Sequence, residues 1–122
     1  MSDERECFKN GLPRTTYEGP PNLTPANPDN VPEYTAREFF AFLRPAVRAF
    51  AIKMEEKLRK NDHKQDWKDC TIDCLRALLE GELRELDEAL QNEPGKAIAY
   101  EAADAANFLC MLSDITGGLT TD

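Results

Sequence analysis

Between residues 35 and 116 apolar side chains recur every three or four positions, the spacing of helices that bury one face. The segment TARE at 35–38 has the form of a capping box, with Thr35 as cap and Glu38 three residues on. It opens a helix carrying Phe39, Phe40, Phe42 and Leu43, which Pro45 should break or kink. A second helix is expected from Pro45 to about Arg59, with Val47, Phe50, Met54 and Leu58 on one face, and these aromatic and aliphatic groups read as core. The polar link KNDHKQDW at 60–67 follows, with Asp66 as a cap. One long helix is then expected from Trp67 to about Gln91, with Gly81 as its weak point. NEPG at 92–95 makes a turn, and a last helix runs from Lys96 to about Thr116, ended by Gly117 and Gly118. No strand-like alternation occurs, and short links favour antiparallel neighbours. The expected fold is all-α, a bundle of four to five helices.

Residues 1–34 lack this periodicity. Six of the eight prolines lie there, at Pro13, Pro20, Pro21, Pro25, Pro28 and Pro32. A chain so rich in proline forms neither a helix nor a central strand, so it is expected as a Pro-rich extended arm before an ordered domain at 35–118. It reads equally as a poorly ordered tail or as an arm that wraps a neighbouring subunit or covers a pocket, anchored by Leu12, Tyr17 and Leu23.

The acidic residues divide into two populations. Stepping about 100° per residue along the third helix puts Leu75, Leu79, Leu83, Leu86, Ala89 and Leu90 on one arc, with Leu78 at its edge. Glu82 falls inside that arc and Glu85 at its margin, whereas Glu80, Arg84, Asp87 and Glu88 face the other way. On the last helix Ile98, Ala105, Phe108, Leu109, Leu112 and Ile115 form the apolar arc, with Glu101 near its middle and Asp104 beside it. A spacing of three puts both members of each pair on one helix face. Core-facing carboxylates need a partner, and the last helix has no Lys or Arg after Lys96. Four such acids therefore call for a divalent cation, Mg²⁺ or Mn²⁺, which prefers oxygen ligands and shares them with substrate phosphates. A di-iron site of the ferritin kind would need histidines three residues after glutamates, and the one histidine, His63, lies outside both helices.

Composition narrows the partners. A net charge of −8 argues against nucleic acid. No apolar run spans a bilayer, and the start MSDERECFKNG lacks the apolar centre of a signal peptide, so a soluble, cytoplasmic protein with no membrane partner is expected. Cys7, Cys70, Cys74 and Cys110 follow no zinc or disulfide pattern and read as reduced thiols. With 122 residues and 41% hydrophobic content the core is modest, which points to completion by a partner subunit.

Glu82-x-x-Glu85 followed by Glu101-x-x-Asp104 resembles the signature of the all-α nucleoside triphosphate pyrophosphohydrolases, the MazG and dimeric dUTPase-like superfamily. ELRELDEAL resembles the first acidic helix of its phage-type and bacterial members, EAADAANFLCML the second, and MEEKLRKNDHKQDW the segment before them. The likeness covers about Phe50 to Ile115. Gly81 departs from the adjacent glutamates many members carry, and no basic residue follows Asp104, which leaves Lys53, Lys57, Lys64 and Lys68 as candidates for the triphosphate tail.

The resemblance implies hydrolysis of a nucleoside triphosphate between its α and β phosphates, giving the monophosphate and pyrophosphate. It implies two or three Mg²⁺ or Mn²⁺ ions held by Glu82, Glu85, Glu101 and Asp104, with Glu82 or Glu85 taking the proton from the attacking water. It also implies a homodimer or dimer of dimers and, from the phage-like text, a purine deoxynucleotide such as dGTP or dATP in the host cytoplasm. A pyrimidine such as dUTP or dCTP, or house-cleaning of damaged nucleotides, stays open, and a non-catalytic, metal-stabilised helical module is the competing class. Asn107, Asn61, Lys64 and Trp67 join Lys53 and Lys57 as substrate-binding candidates. Asn107 reads as a sugar or phosphate contact or as a packing amide, and Trp67, near Lys64 and His63, as a base or tail contact or as core. In a straight helix Trp67 would lie roughly 27 Å from Glu85, so either the helix bends or another protomer completes the pocket.

Overall fold

The computed structural model describes Tyr17, Gly19 and residues 35–119. Apart from Tyr17 and Gly19, the expected arm, including its anchors Leu12 and Leu23, lies outside the described residues, as does Cys7. The described residues form four α-helices and one 3-10 turn, with no strand among them: α1 at Ala36–Phe42, α2 at Pro45–Lys60, the turn at Trp67–Asp69, α3 at Ile72–Asn92 and α4 at Gly95–Ile115. Two compact units divide the chain, Met1–Arg48 and Ala49–Asp122. None of the described helices is long and apolar enough to cross a membrane.

In the first unit the Thr35 hydroxyl accepts the Glu38 amide at 3.1 Å, which fixes the start of α1. Pro45 does not kink this helix but begins the next one, where its missing amide costs nothing. Between them the orphan carbonyls at the end of α1 are taken up by Arg48, whose guanidinium donates to Ala41 O at 2.7 Å and Leu43 O at 3.3 Å. The Arg44 guanidinium lies 4.9 Å above the Tyr17 ring. Gly19 sits so close to Tyr17 and Phe42 that a Cβ would meet both within 3 Å, a close approach open only to glycine.

The second unit rests on α3 against α4, joined by a tight link in which Glu93 closes one helix and Pro94 opens the other. Ala89 on α3 and Ala103 and Ala105 on α4 are buried, and among the described residues Leu75 is the one large side chain fully enclosed. α2 joins α4 through polar ties described below. At its far end α4 stops where Gly117 takes a φ of +82°, and the Gly118 amide donates to Ser113 O at 2.8 Å.

Two expectations need correction. The long helix expected from Trp67 is interrupted: the turn at Trp67–Asp69 ends at Cys70, and α3 starts afresh with Thr71 accepting the Cys74 amide at 3.0 Å. The Thr71 hydroxyl competes for a backbone amide, which favours a new N-terminus over a continuous helix. Asp66 caps the short turn, through Lys68 N, and α3 runs unbroken through Gly81. Second, several apolar side chains expected in the core lie open in the single chain, among them Phe40, Val47, Leu83, Leu90 and Leu109, with Leu90 57% exposed. A pair of packed helices buries only part of each apolar arc and leaves its edges exposed.

Candidate metal centre and adjoining cavity

Glu82 and Glu85 come from α3 and Glu101 from α4, and each offers a carboxylate oxygen within 4.8 Å of the others. This convergence follows from the packing of α3 against α4, with Glu82 and Glu101 partly buried and Glu85 exposed at the edge. Glu82 Oε2 and Glu101 Oε2 are buried without a hydrogen-bond partner. An unpartnered buried carboxylate oxygen is costly, and either a retained proton or a cation would offset that cost.

The electrostatics agree. Burial, then the charges of Asp104, Glu85 and Glu101, push the Glu82 carboxyl up from 4.5 to about 7. Glu101 is raised too, by burial and by Glu85 and Asp104, with Lys57 pulling the other way. Three close carboxylates cannot all ionise cheaply without a cation, and a divalent ion with oxygen preference suits this donor set.

Asp104 behaves differently from the other three. Its Oδ2 accepts from Lys57 Nζ at 3.0 Å, with both side chains largely shielded. The expectation that the four acids lack basic partners therefore fails for Asp104, because its cation comes from α2, beyond the reach of any pattern within α4. Lys57 also lies 4.5 Å from the centroid of the Tyr100 ring, with Lys53 at 4.7 Å and Lys60 at 4.9 Å. Lys53 in addition pairs with Glu56 at 3.3 Å, and Lys60 donates to the Tyr100 hydroxyl at 3.3 Å.

Beside the acids is a cavity of about 760 Å³. Glu82 and Asp104 border it, and so do Lys57, Asn61, Lys64, Trp67 and Asn107. Leu75, Leu78, Phe108 and Met111 supply its apolar wall. The break before Thr71 is what lets Trp67 and Glu82 face one space within one chain. Trp67 turns its indole N–H to Asp114 Oδ2 at 2.8 Å and presents its ring to the cavity. Asn107 is 4% exposed; its Nδ2 donates to Met54 O at 3.1 Å, tying α2 to α4, while its Oδ1 has no partner. It is thus a packing amide with one polar atom to spare. Asn61 spends its amide N–H locally on Lys57 O. Lys53, Lys68, Glu85 and Glu101 do not line the cavity, though Glu85 and Glu101 border a smaller hollow of about 330 Å³ toward the α3–α4 link.

Tyr100, Lys60 and Asp114 are site residues that the sequence reading missed. Lys60 carried a signal: Lys53, Lys57 and Lys60 are spaced four and three apart, so they share a face of α2, whereas Tyr100 meets them from α4 and carried none. Asp114 carried none, because its partner lies 47 residues away. Set against protein-family models, curated proteins and solved structures, the chain matches none.

Proposed function

We propose that this protein is a metal-dependent nucleoside triphosphate pyrophosphohydrolase that acts on purine deoxynucleotides such as dGTP or dATP and controls their pool. The observation that carries the reading is the junction of three convergent carboxylates, two with buried unpartnered oxygens, and a ligand-sized cavity lined by an indole, an amide and lysines. Glu82, Glu85 and Glu101 would hold Mg²⁺ or Mn²⁺, with Asp104 next to them. Bound there, such ions neutralise phosphate charge and lower the pKa of a bound water.

The chain's own residues supply the rest. Lys57, between Asp104 and the cavity, offsets charge on the tail, and Lys53 and Lys60 add positive potential from the same helix face. Trp67, Phe108 and Met111 offer flat and apolar surface to a base, and the spare Asn107 Oδ1 offers an acceptor to a sugar hydroxyl or base amine. Glu82 or Glu85 takes the proton as water attacks the α phosphorus and pyrophosphate leaves. The exposed Leu83, Leu90 and Leu109 favour assembly as a homodimer or dimer of dimers.

The test is direct. Each NTP and dNTP is incubated with the protein and Mg²⁺ or Mn²⁺, and monophosphate and pyrophosphate are measured. Purine deoxynucleotides should turn over fastest. No turnover of any nucleotide, or undiminished turnover after Glu101→Ala, overturns the enzyme reading in favour of a metal-stabilised helical module. Equal rises in melting temperature with all nucleotides in the presence of metal overturn the purine preference.

A further inference from the structure

Trp67 sits in a turn three residues long, between the 61–66 link and the break at Cys70 and Thr71. A single 3-10 turn has poor internal hydrogen-bond geometry and cannot by itself hold a large ring at a fixed angle. The indole N–H, however, donates to Asp114 Oδ2 at 2.8 Å, a bond strengthened by the carboxylate charge. Asp114 lies on α4 three residues beyond Met111 and is not itself part of the cavity wall. That same helix presents Asp104, Asn107, Phe108 and Met111 to the cavity, so the bond ties Trp67 to the element that carries much of the opposite lining.

The position of Asp114 is otherwise unfavourable. It stands in the last turn of α4, where the helix dipole is negative, and no basic residue in that turn offsets it. Helix stability alone would favour a neutral or basic side chain there.

We propose that Asp114 is the positioning residue for Trp67: its carboxylate fixes the indole as a wall of the cavity and so sets affinity for the base-bearing half of the nucleotide. The inference rests on the nucleotide reading above. Asp114 touches no reacting atom, so its loss should raise KM and leave kcat nearly unchanged, the pattern of a lost uniform binding contribution.

The protein has one tryptophan, so its fluorescence reports on Trp67 alone. Asp114→Ala should shift the emission to the red and increase quenching by acrylamide in the nucleotide-free protein, and raise KM by about tenfold with kcat within about twofold. Asp114→Asn, which keeps an oxygen acceptor, should restore most of the native spectrum and KM. Trp67→Phe, which keeps a ring but removes the donor, should raise KM as Asp114→Ala does, and the double variant should add little, since the two act through one bond. An emission and quenching profile unmoved by Asp114→Ala, or a spectrum for Asp114→Asn as altered as that for Asp114→Ala, overturns the positioning role. A moved spectrum with unchanged KM overturns its link to the nucleotide. Should Asp114→Ala fail to fold, Asp114→Leu, which removes the acceptor and keeps the side-chain bulk, takes its place, and an emission and quenching profile unmoved by it overturns the proposal. Absence of any turnover by the native protein sinks the underlying reading instead, while the spectra still decide whether Asp114 holds Trp67.

Discussion

Two concentrations of like charge face each other across α2, α3 and α4, and the protein treats them in opposite ways. Around Tyr100, the ammonium groups of Lys53, Lys57 and Lys60 all lie within 5 Å of the ring centroid, and each has a further partner: Glu56, Asp104 and the Tyr100 hydroxyl. Their charge is offset by an aromatic face, two carboxylates and a phenol hydroxyl. Across α4, Glu82, Glu85 and Glu101 converge with no cation among them, and two of their oxygens are buried without a partner. The lysines have partners within the chain, whereas two oxygens of the carboxylate cluster have none. Asp104 marks the boundary between the two regimes, because Lys57 neutralises it.

The largest expected effect comes from breaking the acidic side. Glu101→Ala should lower pyrophosphate release by more than about a hundredfold, the upper end of the effect of even outer partners of a metal. The same substitution should abolish stabilisation by the ion. With the native carboxylates, Mn²⁺ at about a hundred times its Kd should stabilise the fold by ~2.7 kcal/mol in calorimetry; an unchanged melting temperature would show that the cluster holds no cation.

A titration sharpens the contrast next. Glu82 has a folded pKa raised from 4.5 to about 7, so between those values the folded state keeps a proton that the unfolded chain has released. That contribution to stability is present in full below pH 4.5 and is lost as pH rises through about 7. The metal-free protein should therefore melt at falling temperature across this window, and Glu82→Gln should flatten the slope; a slope identical in Glu82→Gln would place the proton elsewhere.

Smaller effects belong to the supporting groups. Asn107→Ala removes the bond to Met54 O and should cost about 1 kcal/mol in urea unfolding. On the lysine side, Lys53→Ala should change stability by less than about 0.5 kcal/mol, since its partner Glu56 is half exposed. A loss as large as that of Asn107→Ala would mean that the lysine face is structural after all.

The capping of α1 by Thr35, the end of α4 at Gly117 and the placement of Glu82 and Glu101 away from solvent, with Glu85 at the margin, were all legible, because each depends on residues within four positions of one another. The interruption at Cys70–Thr71 was less so. Leu75 and the residues after it continue a helical pattern whose start is set by one hydroxyl, and periodicity does not show which threonine will cap. The exposure of Leu83, Leu90 and Leu109 was hidden for a different reason: a pattern shows that a face is apolar and not whether the chain itself covers it.

By itself the sequence determined a helical fold for the described residues 35–119, the helical pairing of Glu82 with Glu85 and of Glu101 with Asp104, and the want of a basic residue on α4 after Lys96. Those are consequences of local spacing and of composition. Tertiary structure decided that three of the acids meet while Asp104 takes Lys57, that Trp67 turns back to Asp114, and that Asn61, Lys64, Trp67 and Asn107 share one cavity with Glu82. These depend on how α2, the short turn, α3 and α4 pack, and contacts spanning 47 or 53 residues leave no periodic trace along the chain.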